Sequence, residues 1–308
     1  MRATLLSLLF AGGCLASFGQ DAAPGSPLPD KGRSLLTEQP ESAPVGAQPR
    51  GTAAACAPAT ALRNLEWNNV RALVENGGSL WYNRSIDKGA YIVPKEAGVS
   101  VVYGGALWLA GISPDQQLKL AAARYRNNGN DFWPGPLTND GAAEVDEATC
   151  SAYDKFSITE RQDAMRHRQY FDCAADPTCD LDTEFPEGYA IPTSFFDYPA
   201  HGNVALQQDY YLAPFYDYDG DGNYDPTLGD YPWYDFLQEI DGGNRRRGDR
   251  VPLYGDQTYY WIFNDKGNVH TESLGEPIGM EIRAQSFAFS TNDEINNMTF
   301  CNYVLINQ

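Results

Sequence analysis

The chain reads as a mainly β protein, an antiparallel β-sandwich-like domain with long aromatic loops and one inserted helix. Short runs rich in β-branched and aromatic residues recur from about Leu65 onward, each bounded by Gly, Pro, Asn or Asp. With 29 glycines, 20 prolines and 13% aromatic residues, the chain has turns enough to separate many strands and large side chains enough to fill a layered core. Toward the end, Ile282, Ala284, Ser286 and Ala288 alternate with Glu281, Arg283, Gln285 and Phe287, the period-two pattern of a strand with two different faces.

Residues 1–19, MRATLLSLLFAGGCLASFG, set Arg2 before an apolar stretch from Leu5 to Phe18 that ends in small residues, the pattern of a secretory signal peptide. Residues 20–60 hold seven prolines and almost no aromatic side chains. They bury too little apolar surface to offset the entropy of ordering and read as a disordered Pro/Ala-rich leader. The β-rich domain is expected over residues 61–308. Its first strands are SLWYN (79–83), GAYIVP (89–94) and SVVYGGALWLAGI (100–112). A hairpin joins YGGALWLAGI to QLKLAAARY through Ser113-Pro114-Asp115-Gln116, where Pro114 presets the turn, and Trp108 with Leu118 or Leu120 is expected on its buried face. SITERQDAMRHRQYF (157–171) is the one expected helix, because Ser157 and Glu160 have capping-box spacing and neither Pro nor Gly interrupts it. Strands at 257–265, 280–290 and 298–308 close the chain. The last runs to Gln308 without a polar tail, so this region is expected to be the N-terminal part of a longer protein.

Composition excludes several functions. The net charge is −19, or −20 without Arg2, which repels nucleic acid and anionic membrane surfaces and favours cations. No later run approaches the ~20 apolar residues of a transmembrane helix. Past the signal, five cysteines remain (Cys56, Cys150, Cys173, Cys179 and Cys301), an odd number that leaves one free or paired elsewhere. CAADPTC, with Asp-Pro able to turn the chain, makes Cys173–Cys179 the expected bridge and leaves the others open. GxSxG, HExxH and phosphate-loop signatures are missing. His167 reads as a solvated helix residue, and His201 and His270 as structural. Arg247-Gly248-Asp249 spells an adhesion tripeptide but reads as a surface turn.

One motif has spacing with a physical reason. In YDYDGDGNYDP, Asp217, Asp219 and Asp221 stand at positions 1, 3 and 5 and Gly222 at 6, the arrangement that wraps alternate oxygens around calcium. Asn223 and Asp225 follow at 7 and 9. Leu228 occupies position 12, where a bidentate Glu would belong, and flanking prolines forbid EF-hand helices, so Asp230 is the candidate closing ligand. The expected site is Asp217, Asp219, Asp221, Asn223, Asp225 and Asp230 around a structural Ca²⁺.

Several stretches together resemble the N-terminal region of large secreted proteins of Bacteroidetes-type bacteria that end in a sorting domain for type IX secretion. They include NNVRALVENGGSLWYN, YIVPKEAGVSVVYGGALWLAGI, YPAHGN, YLAPFYDYDGDGNYDPTLGDYP, PIGMEIRAQSFAFSTNDEINNMTF and NYVLIN. The resemblance covers most of residues 65–308 and implies export to the cell surface or medium, or a periplasmic location if no sorting signal follows. It also implies a calcium site at the acidic loop. The expected role is a calcium-stabilised extracellular structural or adhesive module with an unknown protein or glycan partner, more a scaffold than an enzyme. The alternative is a carbohydrate-binding module or glycoside hydrolase, in which Trp133 of FWPGPL and Trp233 of PWYDF would stack on sugar rings beside two carboxylates.

Overall fold

The computed structural model describes residues 10–11, 55–124, 129–236 and 251–308. Apart from the two-residue strand Phe10–Ala11, the signal peptide lies outside the described residues, as do residues 20–54 of the leader and the tripeptide 247–249.

One antiparallel sheet forms the centre. Met280–Ala288 pairs on one side with Gln257–Asn264 and on the other with Phe300–Asn307. The far edge of Gln257–Asn264 is shared by Ser157–Glu160 and Trp133–Pro134. The three long strands contain neither Pro nor Gly, which lets the hydrogen-bonded ladder run unbroken. A second antiparallel sheet branches at Arg71–Glu75, which pairs with Leu62–Leu65, Ser79–Leu80 and Tyr91–Ile92. Its Leu65, Val74 and Leu80 pack against Trp261, Phe263, Ile282 and Ala284 of the central sheet. This is the sandwich-like, mainly β arrangement expected from the sequence. On the opposite face, Ala164 of helix Arg161–Ala175 and a set of loop aromatics, Phe195, Tyr198, Phe215 and Tyr231 among them, pack on Tyr260 and Ile262.

The molecule is therefore three layers deep, and both faces of Met280–Ala288 are buried. Its polar face survives burial because it is paired. The Arg283 guanidinium meets Glu281 at 2.6 Å and Asp209 at 2.7 Å and donates to the Tyr211 carbonyl at 2.9 Å. Left unpaired, a buried guanidinium would cost several kcal/mol.

Four expectations change. Ser157–Glu160 is a strand, because its backbone pairs with residues 257–260, and the helix begins at Arg161 with no side-chain cap at Glu160. The inserted helix is joined, among the described residues, by three shorter ones, Glu147–Tyr153, Leu181–Glu184 and Thr193–Phe196; the first is capped by Asp146, whose carboxylate accepts from the Thr149 N–H at 2.6 Å. The hairpin Trp108–Ile112 and Leu118–Ala122 forms with its turn as expected, yet Trp108 and Leu118 are each 65% exposed. Its inward face is instead that of Leu109 and Ala121, one residue out of phase. His167 is fully buried rather than solvated, ringed by Phe171, Tyr189, Phe195 and Tyr231.

Cys173–Cys179 is bridged as expected, and Cys56 pairs with Cys150. Cys56 is buried in a cluster with Trp133, Leu137 and Val145, so the end of the expected leader is anchored to the body. Cys301 is unpaired and buried, which pushes its thiol up to about 11. Among the described residues no helix is long and apolar enough to cross a membrane.

Candidate metal centre

The acidic segment is the loop of a hairpin. Phe215–Tyr216 pairs with Tyr231–Pro232, so residues 217 and 230 start and finish side by side. Phe215 and Tyr231 are buried, and the Tyr216 and Tyr231 rings stack at 4.9 Å, which fixes the hairpin's base to the aromatic layer. Between these anchors the chain coils tightly. Gly220 and Gly222 take positive φ of 80° and 87°, which costs glycine little. Gly229, at φ 107°, turns the chain back where a Cβ would meet the Tyr218 ring at 2.8 Å.

The aspartates divide into two groups. Asp217, Asp219 and Asp230 each bring a carboxylate oxygen within 4.8 Å of the others. Asp221 and Asp225 are not among these converging carboxylates and serve the loop's own turns, and Asn223 lies between them on the same loop. Asp221 Oδ1 accepts from the Asn223 N–H at 2.6 Å, and Asp225 Oδ1 accepts from the Thr227 N–H at 2.8 Å and its hydroxyl at 2.6 Å. Leu228, at the expected closing position, is exposed on the short 3₁₀ turn Pro226–Leu228. The replacement inferred from spacing, Asp230, reaches the cluster.

The converging carboxylates are held by backbone donors. Asp217 accepts from Gly220 and Gly222 at 2.8 and 3.0 Å, and Asp230 from Tyr218 and Asp225 at 2.7 and 2.8 Å. Asp219 accepts from Asp221 at 3.1 Å. Each carboxylate oxygen has two lone-pair sites, so one such bond leaves room for a cation. Without a cation, two carboxylates at this separation repel by about 1 to 4 kcal/mol, depending on the local dielectric. Burial pushes Asp230 up to about 6; its two backbone bonds pull it down, and the charges of Asp217 and Asp219 push it up further. An all-oxygen set of hard donors fits a divalent cation. Three carboxylates supply three to six of the six to eight oxygens that calcium takes, leaving the rest to carbonyls or water.

Two contacts on this loop have no signal in the spacing of the motif. His201 Nε2 accepts from the Tyr224 N–H at 2.8 Å while Nδ1 faces the Tyr210 carbonyl at 3.1 Å. These partners require a neutral ring protonated at Nδ1, and burial lowers its pKa in the same direction. Tyr210 stacks on His201 at 4.1 Å and donates its hydroxyl to Asn223 Oδ1. The YPAHGN segment thus braces the acidic loop. Beneath it, His167 Nδ1 meets the Tyr189 hydroxyl at 2.7 Å; burial lowers its pKa to about 4, and the backbone of Gly229 and Asp230 offsets part of that.

The other candidates carry less. His270 is buried with its two ring nitrogens against the carbonyls of Leu120 and Asp265, a structural position. Two clefts of 380 and 450 Å³ flank helix Arg161–Ala175, and neither is lined by a histidine. Trp133 and Trp233 are each 2% exposed and serve the core. The chain was compared with protein-family models, curated proteins and solved structures, and none of the three comparisons found a match.

Proposed function

We propose that this chain is a calcium-stabilised structural or adhesive module of a larger exported protein. The carrying observation is the convergence of Asp217, Asp219 and Asp230 at the closed end of a hairpin whose base is locked into the aromatic layer. A cation there ties the start of the loop to its end. It offsets the mutual repulsion of carboxylates that the fold has already brought together and partly desolvated. Two disulfides and a signal-like leader support export, since such bridges persist in oxidising compartments. The resemblance to N-terminal regions of type IX-secreted proteins supports the same location. Trp133 and Trp233 lie inside the core and are not available to stack on sugar rings.

Adding calcium to chelated protein is expected to raise Tm. Asp219→Asn, at an exposed member of the cluster, should abolish most of that rise. Asp225→Asn should leave it largely intact, because Asp225 caps the Pro226–Leu228 turn. A melting curve indifferent to calcium in the unaltered chain would overturn the proposal.

A further inference from the structure

His270 sits where the hairpin, the end of the long strand Gln257–Asn264 and the segment ahead of Trp133 meet, its side chain sealed from solvent. Nδ1 lies 2.7 Å from the Leu120 carbonyl oxygen, and Nε2 lies 2.5 Å from the Asp265 carbonyl oxygen. A neutral imidazole carries one N–H and one bare lone pair, whereas a carbonyl oxygen only accepts. In either neutral tautomer, one lone pair would point at a carbonyl oxygen at hydrogen-bond distance. Two such acceptors are satisfied only by a ring with a proton on each nitrogen. His201 shows the contrast, since its Nε2 accepts from the Tyr224 N–H and its ring is therefore neutral.

The surroundings supply the counter-charge. Asp131, 1% exposed, places Oδ2 3.7 Å from Nδ1. Its two oxygens accept from the backbone N–H groups of Ala122, Glu272 and Ser273 at 3.1, 2.9 and 3.1 Å. Asp265, fully buried, accepts from those of Ile278, Gly279 and Met280 at 2.6, 3.0 and 2.7 Å. Donors on both oxygens favour the carboxylate form of each. Burial pushes Asp265 up, while its backbone bonds and the His270 charge pull it down. The Trp133 ring lies 5.8 Å from the imidazole between centroids, within the range of a cation–π contact. Of the other charged groups on these segments, Glu272 is paired with Arg124, Lys266 donates to the Ala142 carbonyl, Lys119 is half-buried and Glu276 is exposed.

We propose that His270 is a buried imidazolium at neutral pH, a proton-dependent clasp that ties the hairpin Trp108–Ile112 and Leu118–Ala122 to the end of Gln257–Asn264. The Ser273 hydroxyl donates to the same Leu120 carbonyl at 3.1 Å, so the segment from His270 to Ser273 grips the hairpin at one point. Losing either ring proton sets a lone pair against a carbonyl oxygen and opens one arm of the clasp. It also leaves the carboxylates of Asp131 and Asp265 buried without their counter-charge.

The test is nitrogen NMR of the full chain at pH 7 with isotope-labelled histidine, each ring assigned through its own backbone. The expected result is a proton on both ring nitrogens of His270, against one bare nitrogen on His201. A bare nitrogen on His270 at that pH would overturn the proposal. His270→Gln, which keeps a donor amide without the charge, is expected to speed hydrogen exchange in Leu118–Ala122 about tenfold or more and leave Met280–Ala288 unchanged. Unaltered exchange in Leu118–Ala122 would remove the clasp. If that variant does not fold, the unaltered chain is taken to a pH at which NMR shows one His270 nitrogen bare. Exchange in Leu118–Ala122, corrected for its intrinsic pH dependence, should then rise, and no rise would count equally against the clasp.

Discussion

Asp230 links the acidic loop to pH with a definite sign. Its folded pKa, about 6, lies above the ordinary value of 3.8, so in chelated protein it favours the fold only while protonated. That contribution is present below about pH 4 and lost as pH rises toward 6, at most about 3 kcal/mol. A cation needs the carboxylate form and competes with that proton. Calcium affinity measured by calorimetry is therefore expected to fall about tenfold between pH 7 and pH 5, and an affinity flat over that range would remove Asp230 from the ligand set. His167 acts in the opposite sense. Depressed to about 4, it contributes stability that is full above about 6.5 and lost as pH falls toward 4. The difference in stability between the unaltered chain and His167→Phe should therefore shrink on acidification over that window, as read by chemical denaturation at each pH. The spacing of Asp217, Asp219 and Asp221 marked an acidic loop, and of its carboxylates Asp217 and Asp219 converge with Asp230 in a group that could hold a metal ion. The spacing did not separate the converging aspartates from those spent on turns, because both uses place a carboxylate on alternate residues.

Among elements, the two disulfides differ mainly in the loop each closes. Cys56–Cys150 spans 94 residues and Cys173–Cys179 spans 6. Loop-closure entropy assigns them about 4–5 and about 2 kcal/mol respectively. Replacing the first pair with serine should therefore lower stability about twice as much as replacing the second, measured by urea denaturation; equal losses would show that strain or residual structure outweighs chain entropy. The short bridge was readable because its partners flank a turn in sequence, whereas the long one depends on where the sheet places helix Glu147–Tyr153. The same dependence moved the start of the long helix. A capping-box pattern at Ser157 and Glu160 competes with an open strand edge at Gln257–Tyr260, and the edge wins by pairing four consecutive residues.

For the molecule as a whole, layering decides which aromatics matter. Trp261 lies between the two sheets at 2% exposure, and Trp261→Ala is expected to cost about 3–5 kcal/mol. Trp108, on the hairpin's outer face, keeps a hydrogen bond from Nε1 to the Ala123 carbonyl at 2.8 Å. Trp108→Ala should cost about 1 kcal/mol or less, and a comparable loss at both positions would mean that the hairpin face is covered in solution. Periodicity and turn chemistry are local properties, which is why the β class, the three long strands, the hairpin turn and the acidic loop could be read from residues alone. Which face of the hairpin points inward, the burial of His167, the Cys56–Cys150 bridge and the grouping of Asp217 with Asp219 and Asp230 belong to the assembled fold. Each depends on a partner distant in sequence, and only the stacking of the two sheets and the aromatic layer brings those partners within contact.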